Sequence, residues 1–147
     1  MAVLNYTTRV DALRTIGEIQ ALLAKQGATR IATEYADGTP IGVAFGLKTP
    51  HGERFFELPV DVAAMQRLLA KNSPNGGMSV SAFRSREHAE RVAWRVVKDW
   101  LEAQLTLVQT QMAAIDQVLL PYLRVDEHRT LYAAYVEREN VLALERA

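Results

Sequence analysis

The sequence predicts an α+β fold, with an antiparallel three- to four-stranded sheet packed against a long C-terminal helix and two or three shorter helices. Three observations lead there. Three short runs between residues 30 and 58 alternate apolar and polar side chains and are separated by turn-forming residues. The segment from Arg84 to Leu120 carries apolar residues at helical spacing with scarcely a break. At 147 residues and 49% apolar composition, the chain suits one hydrophobic core, so 1–147 reads as a single α+β domain.

Taken in order, Val3 to Thr7 has the composition of a short strand. Thr15 and Glu18 then have capping-box spacing ahead of Ile16, Ile19, Leu22 and Leu23, which predicts a first helix stopped at Gly27. Arg30 to Ala36, Ile41 to Lys48 and Glu53 to Leu58 read as strands of a meander. Asp37-Gly38 marks the first junction and Thr49-Pro50-His51-Gly52 the second. Asp61 caps a helix bearing Val62, Met65, Leu68 and Leu69, which runs out in the turn-rich stretch from Lys71 to Gly77. Met78 to Phe83 alternates well enough to add a fourth strand. Ser85 is the expected N-cap of a helix over 85–120, about 52 Å long at 1.5 Å per residue. Pro121 ends or kinks it, and Asp126 caps a terminal helix over 126–145 with Leu131, Tyr132, Tyr135, Val136 and Leu142 as its apolar positions.

Projected at 100° per residue, the long helix gathers Trp94, Val97, Trp100, Leu101, Leu105, Leu107, Val108, Met112, Ile115, Val118 and Leu119 over about half its circumference. A stripe facing one sheet is narrower. The helix therefore meets two surfaces: the sheet, and either the terminal helix or a second protomer. Gln104 and Gln111, seven residues apart, fall inside the apolar arc. Buried amides need partners, so they either bond to loops and backbone at the core edge or pair across a helix-helix seam in a homo-oligomer. On the second reading, Trp100, Gln104, Leu107 and Gln111 form that seam.

The opposite arc is polar. Arg84, Arg86, Arg91, Arg95 and Lys98 cluster where a helix start already favours anions, which suits a phosphate, nucleotide or nucleic-acid backbone. Arg95 with Asp99 and Lys98 with Glu102 are also i,i+4 pairs of the kind found on a solvated helix face. Arg84 and Arg86, which lack such partners, are the better anion candidates. Charge bounds the choice, because 17 basic and 17 acidic side chains cancel, so nucleic acid is not coated through a global positive field.

Catalytic signatures are sparse. No cysteine is present, so disulfides, thiolate metal sites and cysteine nucleophiles are excluded. His51, His88 and His128 have none of the i,i+4 spacing of a helical zinc site, and no metal or cofactor is expected. There is no phosphate-binding glycine loop, dinucleotide fingerprint or nucleophile elbow. No run approaches the about 20 apolar residues of a membrane span, and the N-terminus lacks a basic, apolar leader, so a cytoplasmic protein without membrane attachment is expected.

Four segments resemble a family of small proteins encoded in bacteriophages, prophages and mobile elements. They are "AVLNYTT" at Ala2 to Thr8, "TPHGE" at Thr49 to Glu53, "ERVAWRVVKDWLEAQL" at Glu90 to Leu105, and "LPYL" at Leu120 to Leu123. The resemblance carries over no activity and no site residue. It implies a setting, that of a phage accessory protein in the host bacterial cytoplasm. Together with the missing catalytic motifs, it leads to the expectation of a non-enzymatic protein acting by binding. Such a protein would engage a host defence component or sequester a nucleotide-type ligand. The alternative is a nucleic-acid-binding protein of phage DNA metabolism that uses the local basic face.

Overall fold

The computed structural model describes residues 4–74 and 77–146. Its strands β1 (Arg30–Ala36), β2 (Thr39–Thr49) and β3 (Gly52–Glu57) form one antiparallel sheet in the order β1-β2-β3. The first hairpin closes on Asp37 and Gly38, at φ 50° and 76°, the two positive dihedrals that a two-residue turn needs to match strand twist. At the second, Thr49 Oγ1 donates to the Gly52 carbonyl at 2.8 Å and accepts from His51 N at 3.0 Å.

Register decides which face is buried. Phe45 of β2 stands opposite Ile31 and Phe56, and Val43 and Leu47 share its face. Alternation sends all of them to one side, where Phe45 and Phe56 stack with centroids 5.7 Å apart. Ala32, Ala44, Gly46 and Phe55 face the other way. The Phe55 ring leans on Gly46 so closely that a Cβ there would lie 2.9 Å from it.

Helix α1 (Ala12–Lys25) lays Ile16, Ile19 and Leu23 on the buried sheet face. Its cap is Asp11, whose side chain accepts from Leu13 N at 3.2 Å, and not the expected Thr15. Asp11 precedes the apolar run, so the helix starts one turn early; Thr15 is fully buried within it. The chain leaves α1 through Gly27 at φ 95°, as expected. Residues 4–7 form a turn where a strand was expected; Val3 lies outside the described residues.

Helix α2 (Val62–Ala70) is capped by Asp61, which accepts from Ala64 N at 3.0 Å. The fourth strand expected at Met78 to Phe83 is instead a helical turn, α3 (Val80–Phe83), because Ser79 Oγ accepts from Ala82 N at 3.2 Å and caps it. A backbone segment does extend the sheet, but from far along the chain: Arg124 N donates to the Phe55 carbonyl at 2.8 Å and Leu123 bridges Phe56.

Helix α4 (Arg86–Gln109) starts at Ser85, as its sequence indicates, with Ser85 Oγ accepting from His88 N at 3.1 Å. Its 24 residues span about 36 Å. Trp94, Val97, Leu101 and Leu105 join the cluster formed by the sheet and α1. Ala89, Val92 and Ala93 join a second cluster with Val62, Leu69 and Phe83. Each buried aliphatic or aromatic side chain contributes roughly 1.5–3 kcal/mol, so both flanks anchor the helix. The two-surface expectation thus holds within one chain, with α2 and α3 as the second surface where the terminal helix was expected.

The helix expected over 85–120 is broken. Gln111 adopts φ 62°, its N–H donates to the Val108 carbonyl at 3.1 Å, and Met112 N donates to the Leu107 carbonyl at 3.0 Å. This is a Schellman ending, which satisfies the last carbonyls and turns the chain away. A short helix, α5 (Ile115–Leu119), and a 3₁₀ turn at Leu120–Tyr122 containing Pro121 follow. The terminal helix α6 (Leu131–Arg146) begins later than the expected 126. Asp126 instead folds the preceding loop, accepting from His128 N at 2.8 Å and Arg129 N at 2.9 Å, while Thr130 Oγ1 accepts from Ala133 N at 3.2 Å at the helix start. Among the described residues no helix is long and apolar enough to cross a membrane.

Candidate functional site

The basic face of α4 comes first, because the sequence singled it out. Most of its cations are engaged. Arg86 faces Glu90 at 3.7 Å, Arg91 faces Glu87 at 3.2 Å and Lys98 faces Glu102 at 2.7 Å, all one turn apart on the same helix. Arg95 departs from the expected pairing with Asp99. It crosses to α1, where it binds Glu18 and reaches Thr15 Oγ1 at 3.3 Å. Asp99 instead accepts from Asn5 Nδ2 at 2.7 Å. Arg84 is exposed at the junction of α3 and α4; Arg86, expected to lack an acidic partner one turn away, faces Glu90, so the local anion site expected from the sequence narrows to Arg84.

His88 sits beneath this face, fully buried. Its Nε2 contacts the Tyr6 carbonyl at 2.7 Å and its Nδ1 contacts Arg91 Nη2 at 3.4 Å, so the neutral ring donates from Nε2 and accepts at Nδ1. Burial pushes its pKa below the ordinary 6.5. The Tyr6 hydrogen bond opposes that shift, and the nearby Arg91 and Arg9 charges add to it. The ring also packs on Phe83 at 5.5 Å, which makes His88 a tie between the N-terminal segment and α4.

The expected seam is dispersed. Trp100 is half-buried, with its ring edge-on to Tyr122 at 5.2 Å, so its partner lies in the same chain. Gln104 and Leu107 are half-buried on α4, whereas Gln111 lies beyond the helix end and is exposed. The seven-residue spacing that linked the two glutamines therefore does not place them on one helical stripe.

A region that sequence reasoning passed over gathers around the loop before α6. Arg124 lies across the outer sheet face, donating from Nη2 to Glu34 at 2.9 Å and from Nε toward Glu57 at 3.4 Å. Glu34 stands opposite Gly42 and Glu57 opposite Ala44, so only small residues of β2 lie between and one guanidinium ties β1 to β3. Next to it, Arg129 joins Asp126 at 2.8 Å and Glu137 at 2.5 Å. The Asp126 carboxyl is held below its usual range, first by the His128 N–H and then by Arg129, whose own pKa is raised by the same bonds. The dense mixture of ring and charged side chains from Tyr122 to Tyr132 was the available signal.

Helix α6 itself has no buried residue. Tyr132 is 60% exposed, Tyr135 58%, Val141 46% and Leu144 77%, an unusual display for a 16-residue helix. It leans on the turn at Leu120–Tyr122 and on the backbone bond from Leu131 N to the Leu123 carbonyl at 2.7 Å. Among the described residues no group of three or more His, Asp and Glu side chains converges as metal ligands. Comparison with protein-family models, curated proteins and solved structures gives no match to this chain.

Proposed function

We propose that this protein acts by binding and not by turnover, as an accessory protein of a phage or mobile element that engages a protein of the host cytoplasm. The supporting observation is α6, which has no buried residue and leaves Tyr132, Tyr135, Val141 and Leu144 exposed. Apolar side chains exposed on a helix can dock into apolar grooves of partner proteins. Protein engagement is favoured over sequestration of a nucleotide, because most of the expected phosphate-binding cations are already held by carboxylates. The test is affinity purification from infected bacteria, read by quantitative mass spectrometry, with the parent beside a Tyr135→Glu/Leu144→Glu variant. The expected result is a host protein recovered with the parent and lost with the variant. Identical recoveries would remove the proposal.

Self-association belongs to the same reading, with Gln104 and Leu107 as the half-buried surface left on α4 beyond Trp100. Light scattering at tens of micromolar reads the mass directly, and a monomer would remove this part. The nucleic-acid reading rests on the exposed Arg84, because Arg86 already faces Glu90 at 3.7 Å. It requires oligonucleotide affinity that falls steeply with added salt and drops on Arg84→Ala. Absence of binding at low salt would end it.

A further inference from the structure

The sheet has one closed edge and one open edge. Beyond β3, Leu123 and Arg124 take the place of a further strand, with Arg124 N donating to the Phe55 carbonyl at 2.8 Å. Beyond β1, among the described residues, no backbone group bonds to the strand. The register shows which groups are left over. The Val43 carbonyl accepts from Leu58 N at 3.0 Å, so the odd-numbered residues of β2 turn their backbone groups toward β3, and Gly42, Ala44 and Gly46 turn theirs toward β1. Their partners Glu34, Ala32 and Arg30 use their backbone groups on that ladder, and Ile31 and Thr33 direct N–H and C=O outward.

An open edge of this kind accepts a strand, and its side chains decide which. Arg30 and Glu34 stand on the outer sheet face with Ala32 between them. Arg30 is exposed and, among the described residues, has no ion-pair partner. Glu34 gives Oε1 to Arg124 at 2.9 Å, and its second carboxylate oxygen is left for another donor. A strand without matching charges would strip water from both groups and return nothing. A second copy of β1, run antiparallel about a dyad at Ala32, sets Arg30 of each copy opposite Glu34 of the other. The same register pairs Ile31 with Thr33, the residues whose backbone groups face outward, and each such pair exchanges both hydrogen bonds. Moving the dyad to Ile31 or Thr33 also joins outward-facing groups, but sets Arg30 or Glu34 opposite Ala32 and leaves the charges unmatched.

We propose that β1 pairs in this register with β1 of a second copy of the chain, joining the two sheets into one. Because the far edge of each sheet is closed, assembly stops at two copies. The contact is independent of α6 and lies on a different surface from Gln104 and Leu107. It is smaller than the roughly 800 Å² per partner of a standard interface, so its dissociation constant is expected to be on the order of 100 µM.

The test is sedimentation equilibrium of the intact protein from about 10 to 500 µM, where the mass should rise from one copy to two. Arg30→Glu and Glu34→Arg each set like charges opposite one another and should weaken the dimer about tenfold or more. An equimolar mixture of the two variants should recover it, because each then carries the charge that the other lacks. Leu107→Glu should leave the dimer unchanged. In the parent, the amides of Ile31 and Thr33 should exchange more slowly as concentration rises while that of Ala32 stays constant, a readout that does not depend on how the variants fold. A monomer throughout would leave the edge to a strand of another protein and overturn the proposal. So would a dimer that survives both charge reversals, a mixture of correctly folded variants that stays monomeric, or concentration-independent exchange at Ile31 and Thr33. A dimer lost in Leu107→Glu and kept in Arg30→Glu would place the contact on α4 instead. Loss of the host protein from the Tyr135→Glu/Leu144→Glu variant is read separately, so either proposal can fail without the other.

Discussion

Replacing Gln111 with glycine tests the break at the end of α4 with a change of sign. Gln111 is held at φ 62°, in the left-handed region that costs a residue with a Cβ about 1–2 kcal/mol. The bonds that define the ending, Gln111 N to the Val108 carbonyl at 3.1 Å and Met112 N to the Leu107 carbonyl at 3.0 Å, are backbone bonds that glycine keeps. Glycine's greater freedom in the unfolded chain subtracts about 0.4–1 kcal/mol. The net expectation is about 0.5–1 kcal/mol of added stability, which for a chain of this size raises the melting temperature by about 1–4 °C. Urea unfolding followed by circular dichroism reads the same difference as a shifted midpoint at constant slope. Were the helix continuous through residue 111, glycine would cost about 1 kcal/mol instead. A destabilised Gln111→Gly would therefore refute the break. Gly27→Ala is the reciprocal control: a Cβ there meets nothing within 4 Å, so the φ of 95° alone should make that variant about 1 kcal/mol less stable.

Other outcomes follow from the same contacts. The link from Arg95 to Glu18 should show a coupling of about 0.5–1 kcal/mol in a double-mutant cycle, kept small by the partial exposure of both side chains; zero coupling would mean that α1 and α4 are joined by their apolar contacts alone. His88 has a folded pKa below 6.5, so the unfolded chain takes up its proton first as the pH falls. Its contribution is intact above pH 6.5 and is lost as the pH descends toward the folded value, at no more than about 1.4 kcal/mol per pH unit. Urea midpoints from pH 7.5 to 5 should show this fall in the parent and a flatter profile in His88→Gln; parallel profiles would remove the assignment. Arg124→Met should lower stability by about 1–2 kcal/mol by leaving Glu34 and Glu57 facing each other without their shared cation, and Glu34→Gln in that background should recover part of it. No recovery would place the loss in packing.

The sheet was legible because its turns are written in residues with one physical meaning. Asp37-Gly38 supplies two positive φ values, and the alternation of Val43, Phe45 and Leu47 names the buried face. The two Schellman endings show where legibility stops. Gly27 and Gln111 perform the same task with the same pattern of backbone bonds, yet only glycine announces it, so the end of α1 could be read and the end of α4 could not. Met78 to Phe83 alternates like a strand, but six residues do not separate the two periods, and the serine cap at Ser79 decided for a helical turn. Asp126 looked like a helix cap because aspartate in a loop and aspartate at a cap use the same carboxylate in the same manner. At the candidate sites, spacing gave the pair of Lys98 with Glu102, but Arg86 was expected to lack a partner although Glu90 lies one turn on, and Arg95 was expected to pair with Asp99. The partner of Arg95, Glu18, is 77 residues away in sequence, and Glu34 is 90 residues from Arg124; contacts of that kind come from the packing of elements and leave no local trace.

The account turns on α6 lying outside the cooperative core and therefore being available to a partner. Amide hydrogen exchange of the isolated protein measures this directly. A 16-residue helix with no fully buried residue is only weakly held by tertiary contacts, so the amides from Val136 to Arg146 should exchange far faster than those of Trp94 to Leu105, whose protection should approach that of global unfolding. Equal protection across α6 and α4 would show the terminal helix to be packed in solution and would contradict the account.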